Sequence, residues 1–260
     1  MKRFHALEWA DLDWFPSSWR DYGTDYLQFI AVKFDIYKPI IPILQKGLEA
    51  SQGQEWVDCA AGGGGGLLKL SAYMKADYPQ LKIHLTDFRP NIQAFEQTVK
   101  TAPADVFDYE KASVDARDLP AHLHGKFRTL FAAFHHFRPD DARQILQNAV
   151  NSRSPIAIFE PVGRNFPSFF SMLFVILNVL ILTPFIRPLR LSTLPFIYLL
   201  PIIPLYIMWD GIASIFRVYS EKEMQDLVNS LENGQNFDWE IGRKQSGPMP
   251  MYYLLGTPKK

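Results

Sequence analysis

The sequence is short of cysteine. Cys59 is the only one in 260 residues, which excludes an internal disulfide framework and a zinc site built from thiolates. An excess of one charge is missing as well. Lys plus Arg and Asp plus Glu each number 27. That balance argues against nucleic acid as the main partner, because neutralising phosphates needs a basic excess. The opening residues, MKRFHALEWADLDWF, are too acidic and too short in apolar run for a signal peptide. The expectation is that the bulk of the chain stays in the cytoplasm. No period of 20–50 residues recurs, so a solenoid is not expected.

Charge itself is scarce in one place. From Phe166 to Trp209 the charged residues are Arg187 and Arg190 alone. Phe169–Ile186 is an uncharged run of 18 residues, and Phe196–Trp209 is a second of 14. As a helix the first run spans ~27 Å, against a bilayer core of about 30 Å. The second reaches ~21 Å, and Pro201 and Pro204 would kink or break it. Two full crossings would also carry both arginines to the far side, against the positive-inside tendency. The block therefore predicts a helical hairpin dipping into one leaflet, or two short helices on a membrane surface, with the arginines reaching headgroups. Burial as a soluble helical pair and a dimer interface are the alternatives.

The rest of the chain alternates. Apolar runs at Glu55–Ala60, Lys82–Thr86, Asp108–Val114, Arg128–Phe134 and Pro155–Phe159 read as strands. Leu67–Ala76, Asn91–Thr101 and Asp140–Val150 read as helices between them. This order predicts βαβ units and a parallel sheet covered on both faces. After Glu160 the alternation breaks for the apolar block. It resumes with a helix at Glu221–Leu231 and strands at Asp238–Gly242 and Met251–Gly256. The short link Arg243–Pro250 predicts a hairpin, so the last strand should run antiparallel. Upstream, Asp25–Phe34 has helical spacing within an aromatic-rich segment, 1–50. Those aromatics either pack on the core or line a pocket for an apolar substrate.

The most informative segment is Val57-Asp58-Cys59-Ala60-Ala61-Gly62-Gly63-Gly64-Gly65-Gly66. It lies between a strand and a helix, where glycines let the backbone turn tightly and approach a ligand. The following helix start offers free N–H groups to an anion. Asp87 ends the second strand, 25 residues beyond Gly62, where a carboxylate can accept from both hydroxyls of a ribose. Asp115 follows the third strand with Ala116 beside it, placed to border an adenine ring. Each aspartate alone reads as a turn or cap residue. Three at successive strand ends of one sheet edge point to a ligand site.

VDCAAGGGGG, LTDF, SVDARDLP and FAAFHHF together resemble the successive motifs of class I S-adenosylmethionine-dependent methyltransferases. The resemblance covers roughly residues 55–160 and 220–257. It implies a Rossmann-like α/β fold, a mostly parallel sheet with an antiparallel last strand and helices on both faces. It also implies S-adenosylmethionine as cofactor. Asp58, Ala60, Gly62 and Gly64 would frame its methionine part, Asp87 its ribose and Asp115 its adenine, with Phe88 stacking on that ring. Ala60 departs from the family, which often has glycine there. The glycine run lacks a P-loop lysine, and no Asn-Pro-Pro-aromatic motif follows strand 4. The expected acceptor is accordingly a small molecule rather than a nucleic acid.

Methyl transfer from a sulfonium is an in-line displacement, in which positioning and desolvation supply most of the acceleration. A base is needed only for a hydroxyl or protonated amine acceptor. His135, His136 and Glu160 are the catalytic candidates. The histidines could equally pack or cap a helix, and Glu160 could pair with Arg164 or orient an acceptor. Trp19, Tyr22, Arg164 and Asp210 are candidates for substrate contact, with Trp19, Tyr22 and Asp25 closing over the cofactor and Asp210 pairing with Arg217. No metal site is expected, because adjacent histidines should point in different directions.

Three segments are expected: an N-terminal helical cap over 1–50, the methyltransferase domain over 51–165 and 218–260, and the hydrophobic insertion over 166–217. Because the insertion follows strand 5 at the ligand edge, the leading expectation is an enzyme on the cytoplasmic side of a membrane. It would contact the membrane through residues 169–209 and methylate a lipid, quinone-like or isoprenoid molecule. A membrane-anchored cofactor-binding or assembly protein without catalysis is one alternative. A soluble methyltransferase dimerising through the insertion is another.

Overall fold

Alternating burial on both faces of short strands builds the centre of the molecule. In the computed structural model, which describes residues 2–51, 53–247 and 249–260, Trp56 turns to one face of the first strand while Val57 and Cys59 turn to the other. In the fifth strand, Ile156 and Ile158 face one way and Ala157 and Phe159 the other. Strands apolar on both sides need helices on both sides. The strands are β1 (Glu55–Cys59), β2 (Lys82–Thr86), β3 (Phe107–Tyr109), β4 (Phe127–Phe131), β5 (Ile156–Glu160), β6 (Phe237–Ser246) and β7 (Met249–Pro258). They form one seven-stranded sheet in the order β3-β2-β1-β4-β5-β7-β6. β1 to β5 run parallel, and β7 is antiparallel to both β5 and β6. This is the Rossmann-like fold with the antiparallel finish that the sequence led us to expect. Pro248, in the expected hairpin link, lies outside the described residues.

The helices are α1 (Ser17–Lys33), α2 (Ile41–Glu49), α3 (Leu68–Asp77), α4 (Ile92–Thr101), α5 (Pro139–Asn151), α6 (Phe166–Met172), α7 (Val175–Leu182), α8 (Ile202–Arg217) and α9 (Glu221–Asn229). α5 and α9 cover one face through Ile145, Leu146, Met224 and Leu227. α2, α3 and α4 cover the other through Leu44, Leu48, Met74 and Phe95. Their starts follow local chemistry. Asn91 accepts from the Ala94 N–H at 3.1 Å to cap α4, and Pro139 opens α5. Ser220 and Glu223 form a reciprocal capping box on α9.

Two expectations are corrected. β3 is three residues long, not the seven of Asp108–Val114. Beyond it the Glu110 N–H donates to the Leu85 carbonyl of β2, and the Val114 N–H to the Asp87 carbonyl just past that strand. Asp115 therefore lies on a loop rather than at the strand end. The apolar block is not a two-helix hairpin either. Its prolines divide it: Pro184 falls in a short turn after α7, Pro195 opens a π-turn, and Pro201 precedes α8, which has Pro204 in its first turn. No single helix among the described residues is long and apolar enough to cross a bilayer. Two bent pairs, broken at 45° and 80°, have the length and composition to do so.

The block folds against α1. Val179, Ile197, Ile203 and Tyr206 share a third core with Phe15, Tyr22 and Tyr26. The segment 1–50 is thus divided by its packing: α1 joins the insertion, whereas α2 belongs to the sheet.

Candidate active site

The cleft opens at the carboxyl ends of β1, β2 and β4, where the chain turns from building the sheet towards β3 to building it towards β5. Open α/β sheets bind ligands at that switch. After β1 the backbone enters the left-handed region at Ala60 (φ 57°), Gly62 (φ 57°) and Gly64 (φ 70°). At Gly64 a side chain has no room, since a Cβ would lie 2.5 Å from Leu85 Cδ1. Asp87 Oδ2 accepts from the Gly62 N–H at 2.9 Å, and Oδ1 from the Arg89 N–H at 2.8 Å. A carboxylate has about four acceptor positions. Asp87 therefore pins the loop and retains capacity towards the cleft it lines.

Asp58 sits beneath the loop, opposite Thr129 in the β1–β4 register. The Thr129 hydroxyl donates to Asp58 Oδ1 at 2.7 Å and accepts from the Trp56 indole N–H at 2.5 Å. Burial pushes the Asp58 carboxyl up to about 7, helped by the charge of Asp87 and opposed by the Thr129 hydrogen bond.

Helix α1 roofs the loop. Arg20, Thr24, Leu27, Gln28 and Ala31, at helical spacing, line the cleft. Gly63 and Gly65 let Gln28 come within contact of the loop backbone. The cleft holds about 600 Å³. A lobe of about 240 Å³ continues between Ala60, Phe88, Val114, Ala116 and Phe137. Asp115, in the wall of this lobe, is clasped by Arg117, whose guanidinium also reaches Asp141 at 2.7 Å. The Arg117 hydrogen bonds hold the Asp115 carboxyl below its ordinary value.

The far wall is a charged cluster, buried at Glu8, His135, Glu160 and Arg217 and exposed at Asp11 and His136. Glu160 accepts from the His135 backbone N–H at 3.0 Å and contacts its Nδ1 at 2.9 Å. Glu8, brought in by the N-terminal strap, lies 3.8 Å from His135 Nε2 and 3.5 Å from His136 Nδ1. Arg217 donates to Asp11 at 2.6 Å and lies 3.2 Å from Glu8. Burial alone would lift the Asp11 carboxyl and lower His136. Their mutual hydrogen bond, with the charges of Arg217 on one and Glu8 on the other, reverses both shifts.

The structure gathers Asp58, Ala60, Gly62, Gly64, Asp87 and Phe88 around the main cleft and Asp115 and Ala116 around the lobe. His136 reaches the cleft, while His135 and Glu160 are buried behind it. Four expected substrate contacts lie elsewhere. Trp19 packs on Phe196, and the Tyr22 hydroxyl hydrogen-bonds Thr183 at 2.6 Å, because both occupy the face of α1 opposite to the cleft. Arg164 pairs with Glu223, not with Glu160. Asp210 accepts from the Trp9 and Ala10 N–H groups at 2.7 and 3.0 Å rather than pairing with Arg217, and burial lifts it to about 6. Asp25 likewise turns outward to Arg190, at 2.9 Å. Glu8 and Asp11 in the far wall, and Tyr37 in the lining of the cleft, were not among the expected site residues. The polar and small positions 20, 24, 28 and 31 of α1 carried a legible helical period.

Solved structures share this fold. An O-methyltransferase family protein from Burkholderia thailandensis superposes with a TM-score of 0.52 at 13% identity, covering 93% of this chain and 60% of that one. The fold is the Rossmann-like one seen in these methyltransferase structures. The plantazolicin methyltransferase BpumL, in complex with SAH, gives 0.53 at 10% identity, covering 94% and 88%. The pyocyanin biosynthetic protein PhzM gives 0.51 at 14%, covering 85% and 54%. This chain thus spans somewhat over half the length of the first and last of these. No protein-family model and no curated protein matches it by sequence.

Proposed function

We propose that this protein is an S-adenosylmethionine-dependent methyltransferase whose acceptor is a lipophilic small molecule met at a membrane surface, on the cytoplasmic side. The observation that carries the cofactor reading is the convergence of Asp58, the left-handed glycine loop and Asp87 on one cleft at the sheet's switch point, with an apolar lobe beside Phe88. A ribose diol suits the free acceptor positions of Asp87, and a sulfonium or ammonium suits the carboxyl of Asp58. The structural neighbours, one of them holding SAH, support the same reading. The cleft is walled by Leu27, Ala31, Phe131 and Phe137 as well as by polar groups, which favours an apolar acceptor.

The membrane part rests on the insertion. None of its described residues lines the cleft; it backs α1, whose other face does. Its outer surface carries Phe166, Leu191 and Leu199, 80%, 70% and 78% exposed, together with Leu173, Leu177 and Phe185. A patch of that kind marks an interaction surface. A bilayer is favoured over a second protein copy by charge. The segment Phe166–Trp209 lacks acidic residues, and Arg187 donates only to backbone carbonyls of Pro184 and Ile186 among the described residues. It is therefore available to anionic headgroups.

The test is incubation of the full chain with methyl-labelled S-adenosylmethionine and lipid extract, followed by mass spectrometry. With the label as a CD₃ group, the proposal expects an increment of about 17 Da, CD₃ in place of a hydrogen, on an organic-phase compound, lost in Asp87→Ala. Label confined to water-soluble acceptors would refute the lipophilic part, and cofactor binding without product over a broad lipid panel would refute catalysis.

A further inference from the structure

We propose that Glu8, His135 and His136 form a binding site for one first-row divalent cation, with zinc the best fit, at the inner wall of the cleft. The sequence argued against a metal because neighbouring histidines diverge. The short 3₁₀ turn Phe134–His136 instead brings the two rings to 4.3 Å between centroids and 32° between planes. One ring nitrogen of each and the Glu8 carboxylate all lie within 4.8 Å of one another.

The spacing is that of ligands, not of hydrogen-bonded partners. Glu8 stands 3.8 Å from His135 Nε2 and 3.5 Å from His136 Nδ1, beyond good hydrogen-bond length. Donors bound to tetrahedral zinc at 2.0–2.1 Å stand about 3.3–3.4 Å apart, so a small contraction around an ion closes the set. The outer partner is also in place. Glu160 takes the His135 Nδ1 side at 2.9 Å, which fixes the tautomer and leaves the Nε2 lone pair directed at Glu8. Metal-bound histidines commonly have such a carboxylate behind them.

Charge supports the same assignment. Glu8 and Asp11 share one permanently charged ion-pair partner, Arg217, and Glu160 pairs only with His135 among the described residues. Glu8 and Glu160 are buried carboxylates beside the two imidazoles, while the exposed Asp11 pairs with Arg217, so a divalent cation would balance acidic charge in the wall. Arg217 Nη1 now stands 3.3 Å from His136 Nδ1. Arg217 would yield that corner, and Asp11 Oδ1 its 3.3 Å contact with the same nitrogen, while Asp11 Oδ2 and the Ala6 carbonyl, each at 2.6 Å, continue to hold the guanidinium. Two imidazoles and one carboxylate suit zinc or iron(II) rather than magnesium or calcium. Three protein ligands also leave a position open, and His136 and Asp11 face the cleft. Resting on the methyltransferase reading, that position would take an acceptor oxygen or nitrogen.

Calorimetric titration of Zn²⁺ into the full chain, freed of metal with a chelator, tests the site without any catalytic assay. Visible absorption of the Co²⁺-substituted protein reports the coordination. We expect one equivalent to bind and the intense d–d bands of a four-coordinate ion to appear. His136→Gln, at a half-exposed position, should weaken binding at least tenfold while melting normally without metal, and Glu160→Gln about 10–100-fold. The surface variant His122→Gln should bind as the parent does. Absence of a binding heat, or equal affinity in His136→Gln, would overturn the site. Intact Zn²⁺ binding with no S-adenosylmethionine binding would instead sink the methyltransferase reading alone.

Discussion

At the scale of single residues, Asp58 links cofactor binding to protons. Its buried carboxyl keeps a proton up to about pH 7, against 3.8 for the free group. Folding therefore takes up a proton between those values, and the ligand-free chain loses stability as pH rises through that window. A bound sulfonium and ammonium favour the ionised form. Binding below pH 7 then expels the proton, and affinity should fall from pH 7 to pH 5 by up to about tenfold per unit. Calorimetry should show that slope in the parent and a nearly flat profile in Asp58→Asn. A parallel slope in both would contradict the linkage. Ala60 makes a second residue-scale prediction. An alanine at φ 57° bears about 1–2 kcal/mol of steric cost, partly offset by the lower entropy of its unfolded state. Ala60→Gly should therefore stabilise the chain by about 0.5–1 kcal/mol, read by denaturant melts; a loss of stability would contradict it. Asp58, Asp87 and the glycine loop were legible because strand ends and left-handed turns demand those residue types locally. Glu8 and Asp11 were not, because they meet the site only through tertiary packing of a strap.

At the scale of elements, α1 is the hinge of the arrangement. One face roofs the glycine loop and the other packs on the insertion. The close approach depends on Gly23, where a Cβ would lie 2.2 Å from the Tyr206 hydroxyl, itself bonded to the Trp19 carbonyl at 2.5 Å. Gly23→Ala should cost about 1–3 kcal/mol by overpacking. At about 2–4 °C per kcal/mol for a chain of this size, differential scanning calorimetry would detect it, and an unchanged melting temperature would show that α1 and α8 separate freely. The alternation of β1, β2, β4 and β5 with helices was readable from period and composition. The proline breaks of the apolar block were readable too, but not their consequence. A run without charge carries no sign of which side is buried, so the partnership with α1 and the displacement of Trp19 and Tyr22 from the cleft stayed hidden. β3 was overestimated because past Tyr109 the chain keeps only isolated hydrogen bonds to its neighbour, which residue type does not reveal.

At the scale of the molecule, a sheet with two ordinary cores carries a third, lopsided body whose outside is apolar. The sequence average conceals this, since a balanced chain and a charge-free block add to a mean hydropathy of -0.07. If the exposed face meets a bilayer, the full chain should sediment with vesicles of phosphatidylcholine and phosphatidylglycerol, more weakly as salt is raised. The combined change Phe166→Ser, Leu191→Ser and Leu199→Ser should leave it in the supernatant without lowering its melting temperature. A parent protein that stays in the supernatant as a stable dimer would assign the face to self-association instead.

The central claim is that the cleft under α1 holds S-adenosylmethionine by its ribose on Asp87 and its methionine part on the glycine loop. Titration calorimetry of S-adenosylmethionine into the full chain and into Asp87→Ala measures that most directly. We predict one site per chain in the parent and a loss of at least about 1.4 kcal/mol, a tenfold weakening, in the variant. No binding heat in the parent, or equal affinity in Asp87→Ala, would contradict it.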